Sequence, residues 1–295
     1  MQKFNVNVQH RMNSSYARIP DRPSLAYQFA FDRSAGIEGP TGALEEPDRS
    51  NSGLTISLDS GVQISKDIDI TGRYATSFSN SSTQGSETES KSVSWPDFGV
   101  RWSGLERLGP FRRIWSASTA RLTFKKDSIE SGRKGLVDTS KETLAISPAL
   151  LFTFKNEINS TLTASYNRSS SDQRGSKTET SNMSVTLDLK KDFRGGSGLK
   201  LPIPFFRKEI KWQSTLNTNL SITYSRTGGK KFLPGSAEYE PIPITTSLRI
   251  SPNLTYNFSR ALNGRFFIDY ARSYAQATDQ TITTLMIGIS AVLTF

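Results

Sequence analysis

Residues 242–258 read IPITTSLRISPNLTYNF, and their alternation decides the fold class. The even positions are mostly apolar: Ile242, Ile244, Thr246, Leu248, Ile250, Pro252, Leu254, Tyr256 and Phe258. After Pro243, the odd positions carry hydroxyl, amide or charged side chains. Because successive side chains of a strand point to opposite faces, this stretch predicts one long strand with an apolar face and a polar face.

The same alternation recurs along the chain, clearly so in 144–154 and 210–224. It predicts thirteen strands, near 3–12, 24–33, 53–65, 67–80, 91–103, 114–126, 141–155, 158–170, 180–192, 209–226, 241–258, 263–275 and 280–295. Many are far longer than the usual strand of about 5–6 residues. In a transmembrane barrel about 9–11 residues of each strand cross the lipid. The sequence therefore predicts an all-β fold, an antiparallel transmembrane β-barrel of about thirteen long strands, with 1–295 as a single segment.

Composition supports a one-layered wall. Only 35% of the residues are hydrophobic and 22% are charged. A soluble β-sandwich or an elongated solenoid is the alternative, but two packed layers need apolar residues on more faces than this chain offers. The expected location is the bacterial outer membrane, with outer-membrane lipid around the apolar face.

The connections alternate in length. The turns at 66–67 and 155–157 are short, whereas 81–91, 127–140, 169–180 and 227–240 read as long polar loops. Short periplasmic turns and long external loops are typical of outer-membrane barrels. Aromatic residues near many predicted strand ends suit interfacial girdles: Tyr74, Phe78, Trp95, Trp102, Trp115, Tyr166, Tyr224, Tyr256, Phe258, Phe266 and Tyr270.

The chain ends on an apolar alternation that resembles the terminal signal by which the barrel-assembly machinery recognises its substrates: Ile287, Ile289, Ala291, Leu293 and Phe295. If this strand ends in the periplasm, the segments 13–23, 66–67, 104–113 and 156–157 lie inside. Thirteen strands then place Met1 outside, whereas bacterial single-chain barrels have even counts. We therefore expect either one missed strand or the C-terminal part of a larger barrel. The lack of a signal peptide favours the second.

The residues needed for most enzyme chemistry are scarce. The chain has no Cys and one His, His10, so we expect no catalysis, no cofactor and no metal site. The pairs Glu45–Glu46 and Glu87 with Glu89 read as solvated loop charges rather than calcium ligands. The net charge is +10, but the cations are scattered along alternating strands, and we expect no nucleic-acid binding. Arg101, Arg121 and Arg249 are expected on the polar face, lining a lumen or pairing with acids such as Asp269 and Asp59.

Two inner connections carry a longer pattern. Residues 95–113 read WPDFGVRWSGLERLGPFRR, with Trp95, Pro96, Asp97, Trp102, Gly104, Leu105, Phe111 and Arg112 as the pattern positions. Residues 199–208 read LKLPIPFFRK, with Pro202, Pro204, Phe205, Phe206, Arg207 and Lys208. Prolines stop the ladder because they lack an N–H donor. The rings either insert into the barrel wall or lumen or, equally well, only close long turns beside lipid phosphates.

These two segments resemble the turn elements of the SprA family. Phe98 stands where the family pattern has Trp, and Gly109-Pro110 replaces Leu-Pro. The resemblance implies the C-terminal segment of a giant outer-membrane barrel that forms the type IX secretion translocon and supports gliding motility. It also implies exported protein cargo and accessory outer-membrane and periplasmic subunits as partners. The alternatives are a self-contained porin or uptake channel for small solutes, and a structural or adhesive surface barrel.

Overall fold

A computed structural model describes residues 4–15, 24–29, 49–83, 86–193, 198–199, 210–211, 215–232, 234, 238–258 and 262–293. These residues contain fourteen strands: β1 (Asn5–Ser15), β2 (Arg49–Ser65), β3 (Ile68–Thr83), β4 (Ser86–Ser103), β5 (Trp115–Arg133), β6 (Leu136–Phe154), β7 (Asn159–Gln173), β8 (Ser176–Phe193), β9 (Gly198–Leu199), β10 (Ile210–Lys211), β11 (Leu216–Phe232), β12 (Glu240–Asn257), β13 (Leu262–Ala275) and β14 (Gln280–Leu293). One helix, α1 (Leu25–Gln28), and two 3-10 turns (Leu105–Arg107, Phe111–Arg113) complete the described elements.

Twelve of these strands form one antiparallel sheet in sequence order, β1 to β8 followed by β11 to β14. The remaining two, β9 and β10, pair as a separate short ribbon within the β8–β11 connection. In the described part of the chain, the edge strands β1 and β14 each have one neighbour. The sequence prediction of an all-β antiparallel fold with long strands is confirmed.

A row of directly opposed residues crosses ten strands on one face of the sheet. This apolar row consists of Ile68, Trp102, Ala120, Leu150, Leu162, Leu187, Ile222, Ile250, Tyr270 and Leu285. The residue that follows or precedes each of these along its own strand points to the opposite face of the sheet. The corresponding polar row consists of Asp69, Arg101, Arg121, Ala149, Thr163, Thr186, Thr223, Arg249, Ala271 and Thr284. Register thus joins the strand alternations into two continuous and chemically opposite surfaces.

The sheet has no conventional hydrophobic core among the described residues. Leu216, 5% exposed, is the one apolar side chain there that is buried. Large apolar side chains lie open instead, including Leu162, Leu254 and Ile289. No described helix has the length and apolar content of a membrane span. The apolar surface is therefore not satisfied by a second protein layer within the described residues.

The strand predicted at 24–33 is wrong where it can be checked. Residues 25–28 form α1, capped by the Ser24 hydroxyl, which accepts a hydrogen bond from the Tyr27 amide at 3.3 Å. The Tyr27 hydroxyl donates to the Ser14 carbonyl at 3.2 Å. Because β1 pairs directly with β2, no place between them remains for another strand.

Without a strand at 24–33, the end of the sheet at which β1 finishes differs from the prediction. We call the end with turns 66–67, 104–114 and 155–158 the inner end, and the opposite end the outer end. Ser15 pairs with Arg49, which pairs with Thr83, so β1 ends at the outer end. The prediction that 13–23 lies inside is therefore wrong for the described residues 13–15. The described sheet has twelve strands rather than the predicted thirteen.

The long outer loops are also corrected. Strands β5 and β6 continue to a two-residue turn at 134–135, and β7 and β8 continue to one at 174–175. Gly135, Arg174 and Gly175 have positive φ angles (78°, 51° and 86°), which suit tight hairpins that follow the twist of their strands. The polar segments at the outer end are thus extensions of the sheet. The short inner turns at 66–67 and 155–157 are confirmed.

Candidate functional site: the two faces of the sheet

The apolar face has a limited height. On β6 it runs from Phe154 to Leu144, and on β8 from Phe193 to Met183, which is 11 residues in each case. At about 3.4 Å per residue and a tilt of about 45°, 11 residues rise about 26 Å. Outer-membrane barrels carry an apolar band about 25 Å tall. The height of this face therefore matches a bilayer.

On the apolar side of the sheet, ion pairs begin where the apolar band stops. Towards the outer end they join Lys126 to Glu142 (3.4 Å), Arg168 to Glu179 (2.8 Å), Arg174 to Asp138 (3.2 Å), Lys134 to Glu87 (2.7 Å) and Lys177 to Asp172 (3.9 Å). The hydrogen bond from Arg168 lowers the pKa of Glu179. A 19-residue strand such as β6 rises about 46 Å at the same tilt, so about two-fifths of it, at the outer end, lies beyond the band.

Aromatic side chains gather near the inner border of the band. Trp115 stacks on Phe111 with ring centroids 4.3 Å apart and contacts Phe152 at 5.0 Å. Tyr256 and Phe258 meet edge to face at 4.7 Å. These residues lie where an interfacial girdle of aromatic side chains is expected. Tyr270, also expected there, lies in the apolar row rather than at a strand end.

The polar face satisfies its charged groups across strands. Arg249 Nε donates to Asp269 Oδ1 at 2.8 Å, and Ser251 Oγ donates to the same oxygen at 2.9 Å. Arg73 and Asp59 pair at 3.3 Å. The expected pairing of Arg249 with Asp269 is confirmed.

Hydroxyl contacts continue this surface at Thr186–Thr223 (3.1 Å), Ser225–Ser247 (2.7 Å) and Ser77–Ser92 (2.6 Å). Arg101 and Arg121 stand directly opposite one another in the register and beside Asp69, as expected for side chains of the polar face. Such a surface can contact water along its whole extent.

Strand β14 carries the predicted terminal signal. Ile287 pairs with Ile268 and Ile289 with Phe266 on the apolar face, and Ile289 is 82% exposed. Ala291 lies on the same face opposite Gly264, and the backbone of Leu293 pairs with Leu262. Phe295 lies outside the described residues. The recognition role remains a prediction.

The other face of β14 departs from the rule, since Ile282, Met286 and Val292 place apolar groups there. Gly288 makes room on that face for the ring of Phe267, whose Cζ lies 2.3 Å from where a Cβ at residue 288 would be. Both faces of this edge strand are therefore partly apolar.

The first pattern segment is mostly strand, which corrects its description as an inner connection. Trp95, Pro96, Asp97 and Trp102 belong to β4, and the register shifts between Ser94 and Asp97. The Trp95 ring meets Tyr74 edge to face at 6.2 Å, and Trp102 lies in the apolar row. Only Gly104, Leu105, Phe111 and Arg112 belong to the β4–β5 turn.

Polar contacts join the β4–β5 turn to the β2–β3 turn and to strand β5. Arg107 Nη1 contacts Asp67 Oδ2 at 3.0 Å. The Ser118 hydroxyl donates to Glu106 Oε2 at 2.6 Å, while the Glu106 amide donates to Ser118 Oγ at 3.0 Å. The hydrogen bond from Ser118 lowers the pKa of Glu106.

The turn also reaches the following turn, since the Lys155 amide donates to the Ile114 carbonyl at 3.0 Å. Gly104, at φ 81°, allows the sharp entry into the turn. The β4–β5 turn thus forms a plate that joins three inner turns. The joining contacts come from Glu106, Arg107 and Ile114 rather than from the pattern positions. Phe111 packs on the wall through Trp115, while Arg112 is exposed at the inner rim.

The second pattern segment cannot be placed. Pro202, Pro204, Phe205, Phe206, Arg207 and Lys208 lie outside the described residues. The backbone pairs of β9 and β10 on either side, Ile210 with Leu199 and Lys211 with Gly198, bring the two ends of this segment together. Among the described residues, no group of three or more His, Cys, Asp or Glu side chains could hold a metal ion.

Comparisons with known proteins give distant structural likenesses only. No family model and no curated protein matches the chain. The β domain of the Bordetella autotransporter BrkA is 10% identical, with a TM-score of 0.29, covering 84% of this chain and 91% of that one. The translocator domain of autotransporter NalP from Neisseria meningitidis is 12% identical, with a TM-score of 0.22, covering 83% and 80%. Both scores are low, so the assignments below rest on the strands and faces of this chain.

Proposed function

We propose that the chain forms the wall of a water-filled β-barrel in the bacterial outer membrane and that this barrel transports protein. The apolar face contacts lipid, and the polar face lines the pore. The observation that carries the proposal is the pair of adjacent rows, one apolar and one polar, that cross the same ten strands from β3 to β14.

Physical chemistry favours a membrane over water for this sheet. An apolar surface that crosses ten strands needs an apolar partner, and the described residues supply no second layer. A hydrocarbon core satisfies it, provided that all backbone groups are paired within the sheet. The ladders from β1 to β14 supply that pairing except at the two edges.

The proposed mechanism has no chemical step. Hydroxyl and amide groups dominate the polar face, and two of its acids, Asp59 and Asp269, are held by arginines. Paired charges attract cargo less strongly than free ones, so a passing polypeptide meets a hydrated wall to which it adheres weakly. Passage is controlled by the width of the pore and by the field of the cations that remain.

At a finer level, we assign the barrel to the translocon of the type IX secretion system. Some members of the SprA family also support gliding motility. The assignment is supported by the pattern of residues 95–113, which resembles the turn elements of the SprA family. The last part of this segment lies in the plate at the β4–β5 turn. On this assignment Arg112 at the inner rim faces accessory subunits in the periplasm, and β14 is the segment that the barrel-assembly machinery recognises.

A porin or uptake channel for small solutes is the second candidate. The observation that favours it is the sheet of the described residues, whose twelve strands are an even number and pair in sequence order, as in an up-and-down barrel. The two candidates differ in the width of the pore they require.

Single cysteine substitutions test both the assignment of the two faces and the width of the pore, because the chain has no cysteine of its own. In lipid vesicles, Thr223→Cys should react with a small membrane-impermeant maleimide, whereas its neighbour Ile222→Cys should be protected. Equal reaction at the two positions would contradict the assignment of faces. Maleimides on polyethylene glycol chains of increasing size then measure width: a pore for protein admits chains of several kilodaltons to Thr223→Cys, and a solute channel excludes them.

A further inference from the structure

Four charged side chains meet at the outer border of the apolar face. Arg168 of β7, Glu179 of β8, and Arg226 and Lys230 of β11 line one open cavity of about 550 Å³. Three cations and one anion leave this group, which we call the basic cluster, with a net charge of +2. Its apolar walls include Met183, Ile242 and Ile244.

One carboxylate organises two of the cations. Glu179 Oε2 lies 2.8 Å from Arg168 Nη2 and 3.6 Å from Lys230 Nζ. The backbone of Arg226 pairs within the sheet, but its guanidinium makes no hydrogen bond or ion pair with another residue that the structure describes. The arrangement holds two positive groups in place beside a third whose donors are free.

Local backbone geometry brings these groups together. The β11–β12 register shifts between Thr227 and Gly229, and such a bulge redirects the side chains next to it. A Cβ at residue 229 would lie 2.1 Å from the Glu179 carbonyl oxygen, so only glycine permits this approach of β11 to β8. The β11–β8 register, which is unbroken through these residues, places Lys230 directly opposite Glu179.

The cluster sits on the lipid-facing side rather than in the pore. Arg226 is opposite Met183, which is opposite Tyr166, and the next row inward pairs Tyr224 with Val185. The cations therefore stand at the border of the apolar band, the depth at which headgroups begin if the proposed membrane placement holds.

We infer that the basic cluster binds the phosphate monoester of a membrane lipid headgroup. Guanidinium groups match phosphate oxygens in a planar, two-point geometry, and a lysine adds a point charge. Glu179 orients the cations without neutralising them. The apolar walls beside the cations suit the acyl chains of the same molecule, which points to a lipid rather than to free phosphate.

The test uses the full chain in phosphatidylcholine vesicles with spin-labelled phosphatidic acid or spin-labelled phosphatidylcholine as the probe. The wild-type protein should prefer phosphatidic acid several-fold. Arg226→Gln should lower that preference by about fivefold, as loss of one charge-assisted contact implies. Arg121→Gln, which removes a cation from the polar face, is the matched control and should leave the preference unchanged.

Three results would overturn the inference: no preference in the wild-type protein, equal losses in Arg226→Gln and Arg121→Gln, or displacement of phosphatidic acid by excess inorganic phosphate, which would assign the site to the free anion. Because the inference rests on the proposed membrane function, insertion is measured separately by protection of the span from protease. Failure to insert counts against the proposed function, whereas an inserted protein without lipid preference counts against the lipid site alone.

Discussion

Arg249 and Asp269 face each other across β12 and β13 on the polar side of the sheet, with Arg249 Nε donating to Asp269 Oδ1 at 2.8 Å. The arginine side chain remains 63% exposed. The pair stands beside Ile250 and Ile268, which belong to the apolar face. One residue along either strand thus separates a salt bridge from a hydrocarbon-facing surface.

The environment of this pair sets the cost of breaking it. If the polar face is wet, Asp269→Asn leaves Arg249 hydrated and costs no more than about 1 kcal/mol of folding free energy. If the face were packed in a dry interior, the stranded charge would cost about 3–5 kcal/mol. Urea unfolding from lipid vesicles measures the difference, and we expect the smaller value. A loss at the upper end would contradict a water-lined surface.

Replacement by alanine should change the stability in opposite directions at two glycines, Gly132 and Gly72. At Gly132, an added Cβ would lie 2.0 Å from the Leu136 carbonyl oxygen, so backbone must move. Gly132→Ala should cost about 1–3 kcal/mol. At Gly72 nothing lies within 4 Å, and Gly72→Ala should be neutral or stabilising by about 0.4–1 kcal/mol through reduced chain entropy. Unfolding midpoints of the two variants check this, and equal midpoints would contradict the register at the β5–β6 hairpin.

The plate at the β4–β5 turn should make stability depend on acid pH. The hydrogen bond from Ser118 lowers the pKa of Glu106 below its ordinary value of 4.5. A carboxylate with a lowered folded-state pKa contributes stability above its unfolded pKa and loses it as the pH falls through the folded value. Glu106→Gln should therefore lower stability at neutral pH and lessen its decline below about pH 5.

Unfolding curves at several pH values measure this effect. Glu157→Gln, at an exposed position in the next inner turn, serves as the control and should keep the wild-type pH profile. If Glu106→Gln also kept that profile, the hydrogen bond to Ser118 would not contribute to stability.

The pattern of alternation predicted the strands where apolar side chains mark one face. The stretch 242–258 is β12 almost to the residue, because most of its even positions carry a large apolar group. The same signal was absent at the outer ends, where Ser131 and Glu130 read as loop although the ladder continues through them. The Lys134-Gly135 and Arg174-Gly175 pairs were the available signal, since such pairs favour tight hairpins.

The alternation of apolar and polar residues predicted a strand wrongly where local hydrogen bonds favour a helical turn. Tyr27 and Phe29 alternate as a strand would, but the Ser24 cap and the direct pairing of β1 with β2 leave a helical turn. The basic cluster was missed for another reason. Arg168, Glu179 and Lys230 come from three strands, and only the register of β7, β8 and β11 brings them together.

The most direct test of the two-faced wall places one arginine on each side of β7. Leu162 lies between Leu150 and Leu187, and Thr163 lies between Ala149 and Thr186, so neither site adds a charge beside another charge. The pair Leu150 and Ala149 is less suitable, because Ala149 stands opposite Arg121. Refolding of the full chain into lipid vesicles gives the free energy of each variant. We predict a loss of about 2–4 kcal/mol for Leu162→Arg and less than about 1 kcal/mol for Thr163→Arg. Equal losses, or a larger loss at Thr163, would contradict a sheet with one face in lipid and the other in water.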